Sequence, residues 1–217
     1  MKLYGYWRSS TAYRVRIALN LKGLTAEQVP VHLVRDGGEQ HRPEYTALNP
    51  QAAVPTVVTE GGSVLTQSLA ICEWLEERHP RPPLLPSDPE ARARVRAFAL
   101  AIACEIHPLV NLRVLGHLTG SLGLSEDDKL AWYRHWTGLG LAQLEALVAG
   151  HSGTGRFVQG DSPTLADICL VPQLYNARRF DLDLSACPTL VRIDQACREL
   201  PAFADAAPER QPDAAVT

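Results

Sequence analysis

The sequence is poor in the features that mark several large functional classes. It has five cysteines, Cys72, Cys104, Cys169, Cys187 and Cys197, with no Cys-x-x-Cys pair among them. Neither a disulfide framework nor a zinc site fits an odd, dispersed set, and no metal is expected. The cysteines fall in apolar helical patterns, where a free thiol acts as a small hydrophobe. No charge of one sign dominates: 24 acidic residues stand against 21 basic ones, a formal charge of −3. Nonspecific nucleic-acid binding needs a basic surface, so nucleic acid is not an expected partner. No apolar run reads as long enough to cross a membrane. The first residues enter a strand pattern without the layout of a signal peptide, so a cytoplasmic protein is expected. Internal repeats and low-complexity segments are also missing.

What is present is apolar material, 46% of 217 residues, ample for a core. The length suits one large domain or two small ones, at about 100–200 residues per domain. Lys2–Tyr6 reads as a strand. Thr11–Lys22 reads as a helix with Val15, Ile17, Ala18 and Leu19 on its apolar side, stopped by Gly23. Glu27–Val34 reads as a second strand, and Arg35–Tyr45 as loop or short helix. The turn-rich Leu48–Pro55 leads into a third strand, Thr56–Glu60, and Gly61-Gly62 turns it into a fourth, Ser63–Thr66. Ser68 is read as the cap of a helix ending at Arg78. Strand–helix–strand predicts a parallel pair, and the hairpin adds an antiparallel one.

Residues 81–89 form a proline-rich linker and the clearest boundary. They separate a first domain, 1–80, from a second, 90–217, in which every pattern is helical. Glu90–Leu118 is a long helical stretch with a kink or break at Pro108. Glu126–Ala149 is helical. Thr164-Leu165-Ala166-Asp167 has capping-box form and opens a helix to Arg179. Pro188–Leu200 is the last helix, and the Ala/Pro-rich stretch after Pro201 reads as a loosely packed tail.

The stretch with functional promise is Trp7–Leu19. Ser9, Ser10 and Thr11 sit where turn becomes helix, a place where hydroxyls cap free backbone N–H groups. The same place favours an anion. A hydroxyl there could hold a thiolate, but no cysteine of this chain falls in the 7–13 stretch, so such a thiol would come from outside.

Taken together, four motifs resemble a known family. They are Arg8-Ser9-Ser10-Thr11-Ala12-Tyr13-Arg14-Val15-Arg16-Ile17-Ala18-Leu19, Leu48-Asn49-Pro50-Gln51 with Val54-Pro55, Gln67-Ser68-Leu69-Ala70-Ile71, and Val171-Pro172-Gln173 leading to Arg178-Arg179-Phe180. With the two-part layout they resemble the zeta-class glutathione transferases, which include the maleylacetoacetate and maleylpyruvate isomerases. The resemblance covers nearly the whole chain. It implies a thioredoxin-like α+β domain with a mixed four-stranded sheet, followed by an all-α domain. The family pattern usually reads Ser-Ser-Cys, and here the third residue is Thr11, which resembles the maleylpyruvate isomerases more than the maleylacetoacetate enzymes.

The resemblance also implies roles. Glutathione would be the cofactor, with Ser9 nearest its sulfur and Arg8, Ser10 and Thr11 beside it as catalytic residues. Val54-Pro55 would be a cis-proline turn presenting Val54 N–H and C=O to the cysteinyl part. Gln67 and Ser68 would take the γ-glutamyl carboxylate at a helix N-terminus, and Gln51 the glycyl end. Arg8, Arg113 and Arg179 would hold the two carboxylates of a substrate, a task that suits arginine. His107 and Asn111 would face the same cleft, His107 binding or positioning glutathione or serving only as a hydrogen-bonded helix residue. Arg14 and Arg16 read as structural or surface charges, and whether Arg178 or Arg179 faces the site stays open. The implied activity is glutathione-dependent cis–trans isomerisation of a maleyl-type keto diacid in aromatic catabolism: a thiolate adds to the cis double bond, the bond rotates, and the thiolate leaves. A transferase for α-halo acids and a non-catalytic glutathione-binding module are the alternatives, and a homodimer is implied.

Overall fold

The computed structural model describes residues 1–216, and the chain divides into two units: Met1–Leu84 with the residues from Leu200 onward, and Leu85–Glu199. The first unit runs β1 (Lys2–Gly5), α1 (Ser10–Leu21), β2 (Glu27–Pro30), α2 (Pro43–Leu48), β3 (Thr56–Val58), β4 (Val64–Thr66) and α3 (Ser68–Arg78). The sheet order is β2-β1-β3-β4, with β1 and β2 parallel and the other two pairs antiparallel. Leu3 on β1 lies opposite Val57 on β3, and both are buried. Every residue of α1 from Ala12 to Leu19 is buried, so this helix is wholly interior over two turns. On α3 the buried residues Ile71, Cys72 and Leu75 follow helical spacing.

The second strand and the tail differ from the sequence reading. β2 stops at Pro30 rather than Val34, because its neighbour β1 ends at Gly5, the partner of Pro30 in the register. The stretch after Pro201 is not loose. It forms a short helix, Pro201–Ala204, that buries Phe203, and Ala206 is buried just beyond it. The Tyr13 hydroxyl donates to the Phe203 carbonyl at 3.4 Å, and Arg16 Nε to the Ala206 carbonyl at 3.0 Å. Apolar residues insert there, and their backbone carbonyls meet buried polar donors of α1, which composition alone does not show.

The buried Lys22 ammonium closes the other end of α1. It pairs with Glu76 and donates to the carbonyls of His79, at 2.7 Å, and Pro82, at 2.6 Å. Glu76 also accepts the Leu84 N–H at 2.9 Å, so both helix ends and the segment after α3 share one polar knot.

The second unit is helical: α4 (Pro89–Leu100), a π-helical segment (Ala101–Ile106), α5 (His107–Val110), α6 (Leu112–Gly120), α7 (Glu126–Val148), α8 (Leu165–Arg179) and α9 (Pro188–Arg198). The expected break at Pro108 takes this form: a widened turn precedes it, α5 starts at His107, and Asn111 leaves the helix with ψ 165. Taken as one helical run, Pro89–Gly120 is long and apolar enough to cross a bilayer by length and composition alone, where the sequence reading saw no such run. Glu105, Pro108 and Arg113 fall within this run, and in the fold its Ile102, Ile106, Val110, Leu115 and Leu118 are buried. The capping box at Thr164 is present. The buried Asp167 carboxylate accepts the N–H groups of Thr164, at 2.7 Å, and Val158, at 2.9 Å, and the Thr164 hydroxyl at 2.9 Å. Burial outweighs these bonds and pushes its pKa up to about 6.

Candidate active site

The first turn of α1 places three hydroxyls. Ser9 is extended (φ −70, ψ 119) and caps the helix, its Oγ accepting the Ala12 N–H at 3.2 Å. Ser10 follows as the first helical residue. Ser9 Oγ and Thr11 Oγ1 are hydrogen-bonded at 2.9 Å, and Thr11 Oγ1 donates to the Val54 carbonyl at 2.9 Å. Thr11 has one hydroxyl proton. With that proton on Val54, Ser9 supplies the one between the two hydroxyls. A turn about the Ser9 side chain frees that proton for another acceptor beside the positive end of α1.

The Val54–Pro55 bond is cis, as the resemblance implies. The residues before it are held by two side chains to which the sequence assigned no role. Asn49 Nδ2 donates to the Ala53 carbonyl at 2.8 Å and to Thr56 Oγ1 at 3.0 Å, and the Tyr45 hydroxyl donates to the same carbonyl at 2.7 Å. Asn49 Oδ1 accepts the Gln51 N–H at 3.0 Å. The signal for Asn49 was its place in the Leu48-Asn49-Pro50-Gln51 motif; Tyr45 left none beyond being an aromatic residue in a polar stretch.

Ser68 is not the cap of α3. Gln67 is the cap residue, with φ +67 and ψ 115, and its Nε2 donates to Gln51 Oε1 at 3.0 Å. Ser68 is the first helical residue, and its Oγ accepts from Arg14 Nη1 at 3.3 Å. Arg14, read as a structural or surface charge, is 1% exposed. Among the described residues its Nε and Nη2 have no hydrogen-bond acceptor. Arg16 is structural: besides Ala206 it donates to the Trp7 carbonyl at 2.9 Å, while the Trp7 N–H reaches the Asp213 carboxylate at 2.9 Å. The Arg8 guanidinium lies 4.8 Å from the centre of the Trp7 ring and 3.4 Å from the Tyr6 hydroxyl. The first unit thus joins Ser9, Thr11 and Val54 directly, Gln51 to Gln67, and Ser68 to Arg14.

The remaining candidates belong to the second unit. Arg178 is paired with Asp194, at 2.7 Å, whose carboxylate is 1% exposed and also meets Arg198 at 3.7 Å. Burial raises the pKa of Asp194 in spite of both cations. Arg179 is exposed and lies 4.7 Å from the Phe180 ring centre. Phe180 stacks on buried Tyr133 at 4.0 Å. Burial pushes the Tyr133 hydroxyl up to about 12, with the positive charge of Arg179 opposing it. Arg113 is exposed in the first turn of α6. Asn111 caps that helix, its Oδ1 accepting the Val114 N–H at 3.1 Å. His107, half-buried, opens α5.

The family described as glutathione S-transferase, N-terminal domain, matches residues 3–83. A probable maleylacetoacetate isomerase from Vibrio cholerae is 53% identical over 98% of this chain and 97% of its own. The holo structure of a maleyl pyruvate isomerase, described as a bacterial zeta-class glutathione S-transferase, is 49% identical with a TM-score of 0.94, covering 98% of this chain and 99% of that one. The structure of a maleylacetoacetate isomerase from Methylobacterium extorquens AM1, with bound malonate and GSH, is 46% identical with a TM-score of 0.95 and covers 99% of each chain. Sequence and fold agree along nearly the full length, and the chain belongs to the zeta class of glutathione transferases, the family of the maleylacetoacetate and maleylpyruvate isomerases.

Proposed function

We propose that this protein is a glutathione-dependent cis–trans isomerase of a maleyl-type keto diacid. One observation carries the reading: the Ser9 hydroxyl stands at the positive end of α1 and is linked through Thr11 to the Val54 carbonyl beside the cis bond. The relatives' names, and the malonate and GSH bound in the Methylobacterium structure, point the same way.

The donor set fits glutathione. Ser68 and the first N–H groups of α3 suit its γ-glutamyl carboxylate, with Gln67 alongside. Val54 and Pro55 would meet the cysteinyl part, Gln51 the glycyl end, and His107 and Asn111 would add contacts. When bound, glutathione supplies the thiol nucleophile that this chain lacks in the 7–19 stretch. Ser9 would donate its proton to the thiolate, and the α1 N-terminus, opened by Ser10, would hold the charge. Thr11 would orient Ser9. Arg8, Arg113 and Arg179 would bind the substrate carboxylates and balance charge growing on the keto oxygen. Arg178, tied to Asp194, is left out of that set. A cytoplasmic homodimer serving aromatic breakdown completes the reading, as family membership suggests.

The test is an assay with maleylpyruvate and with maleylacetoacetate, each with and without glutathione, beside conjugation of chloro-acids. Isomerisation of at least one diacid, only with glutathione, is expected. Conjugation without isomerisation would replace the reading by a transferase. Glutathione binding with no turnover would reduce it to a binding module.

A further inference from the structure

We propose that Arg14 is a positioning residue for an incoming carboxylate at the N-terminus of α3. The inference rests on the reading that Ser68 receives the γ-glutamyl carboxylate of glutathione, and it adds a residue and a physical role to that site.

Four observations meet at this place. Arg14 is 1% exposed and Ser68 5%, and the guanidinium donates to the Ser68 hydroxyl at 3.3 Å. Two further guanidinium nitrogens, Nε and Nη2, have no acceptor among the described residues. The residue before Ser68, Gln67, holds φ +67, a conformation that side chains seldom adopt. α3 is eleven residues long, so its first turn presents free N–H groups and a partial positive charge.

The consequences follow from hydrogen-bond stoichiometry. A serine hydroxyl has one proton and two lone pairs. Arg14 donates to the oxygen and cannot accept, so the serine proton is left to point elsewhere. That donor, polarised by the cation behind it, strengthens toward an anion. A guanidinium keeps its charge in proteins, and a buried charge without a counter-charge is unfavourable. A carboxylate at the α3 N-terminus would therefore answer both the guanidinium charge, whose Nε and Nη2 have no acceptor among the described residues, and the helix end. The ligand class is a monocarboxylate.

The test compares binding of glutathione with binding of γ-aminobutyryl-cysteinyl-glycine, which is glutathione without that carboxylate. Affinities by calorimetry are measured for the wild type, Arg14→Met and Arg14→Lys, with the Tm of each ligand-free protein. The wild type is expected to prefer glutathione by about tenfold or more. Arg14→Met should lose most of that preference while binding the analogue as before, and Arg14→Lys should keep part of it. Ligand-free Arg14→Met should melt no lower than the wild type, since no paired charge is removed. If the wild type discriminates and Arg14→Met discriminates equally, the inference falls and the reading of Ser68 stands. If Arg14→Met does not fold, equal discrimination by Arg14→Gln overturns it in the same way. A wild type that does not discriminate removes the reading of Ser68 and the inference with it.

Discussion

The Thr11 hydroxyl donates to the Val54 carbonyl across 2.9 Å, tying the first turn of α1 to the turn that leads into β3. The same hydroxyl oxygen accepts from Ser9, so one threonine sets both the backbone edge and the proton direction. Thr11→Val keeps the shape and removes the donor. A net hydrogen bond contributes about 1 kcal/mol, or about fivefold in affinity. The KM for glutathione should rise by that factor with a smaller change in kcat. An unchanged KM would mean that Tyr45 and Asn49 hold the Val54 turn by themselves.

Ser9 caps α1 and, in the proposed function, would face the thiol, and two variants separate these roles. Ser9→Ala loses the cap, at about 1 kcal/mol, whereas Ser9→Gly loses only a few tenths. Both lack the hydroxyl, so both should lower kcat by about a hundredfold. Melting and turnover measured side by side decide. Normal turnover in Ser9→Gly would leave capping as the residue's whole role.

Adjacent arginines on α8 should behave differently. Arg178→Ala leaves Asp194, 1% exposed, with Arg198 alone at 3.7 Å. It should cost about 1–3 kcal/mol of stability, read by denaturant unfolding. Arg179→Ala should leave stability nearly unchanged and raise the KM for the diacid about tenfold or more, with glutathione affinity constant. Equal effects on stability would contradict this assignment.

Asp167 gives a pH signature. Burial raises its folded-state pKa to about 6, above the ordinary carboxylate value. The folded protein therefore binds this proton at a pH where the unfolded chain does not. The stability it lends is fully present below the unfolded value and is lost as pH rises through about 6. Asn does not titrate, so the unfolding free energy of the wild type relative to Asp167→Asn should grow by about 2–3 kcal/mol between about pH 7 and about pH 4. A flat difference would show that the carboxylate's three hydrogen bonds offset its burial.

The parts legible in the sequence were those fixed by neighbouring residues. The strand–helix order, the hairpin at Gly61-Gly62 and the box at Thr164 and Asp167 depend on spacing, which the chain displays openly. Arg14 was not legible, because an arginine within an apolar helical face has the same spacing whether it snorkels to water or stays inside. Only the approach of α3 shows that it meets Ser68. Gln67 was misjudged for a related reason: glutamine gives no hint of φ +67, and Ser68 looked the better cap. The pairing of Arg178 was not legible either, because Asp194 comes from another helix.

The tail that packs on α1 also sets an order of events during synthesis. The Tyr13–Phe203 bond spans 190 residues and the Trp7–Asp213 bond 206. A ribosome releases the strand and helix that carry Ser9 first, and the pieces that complete their shell last. Until Ala206 and Asp213 have been made, Arg16 Nε and the Trp7 N–H lack their respective native acceptors in the tail. A message truncated after α9 would encode Ser9, Ser10 and Thr11, yet omit Phe203, Ala206 and Asp213, the tail partners of Tyr13, Arg16 and Trp7.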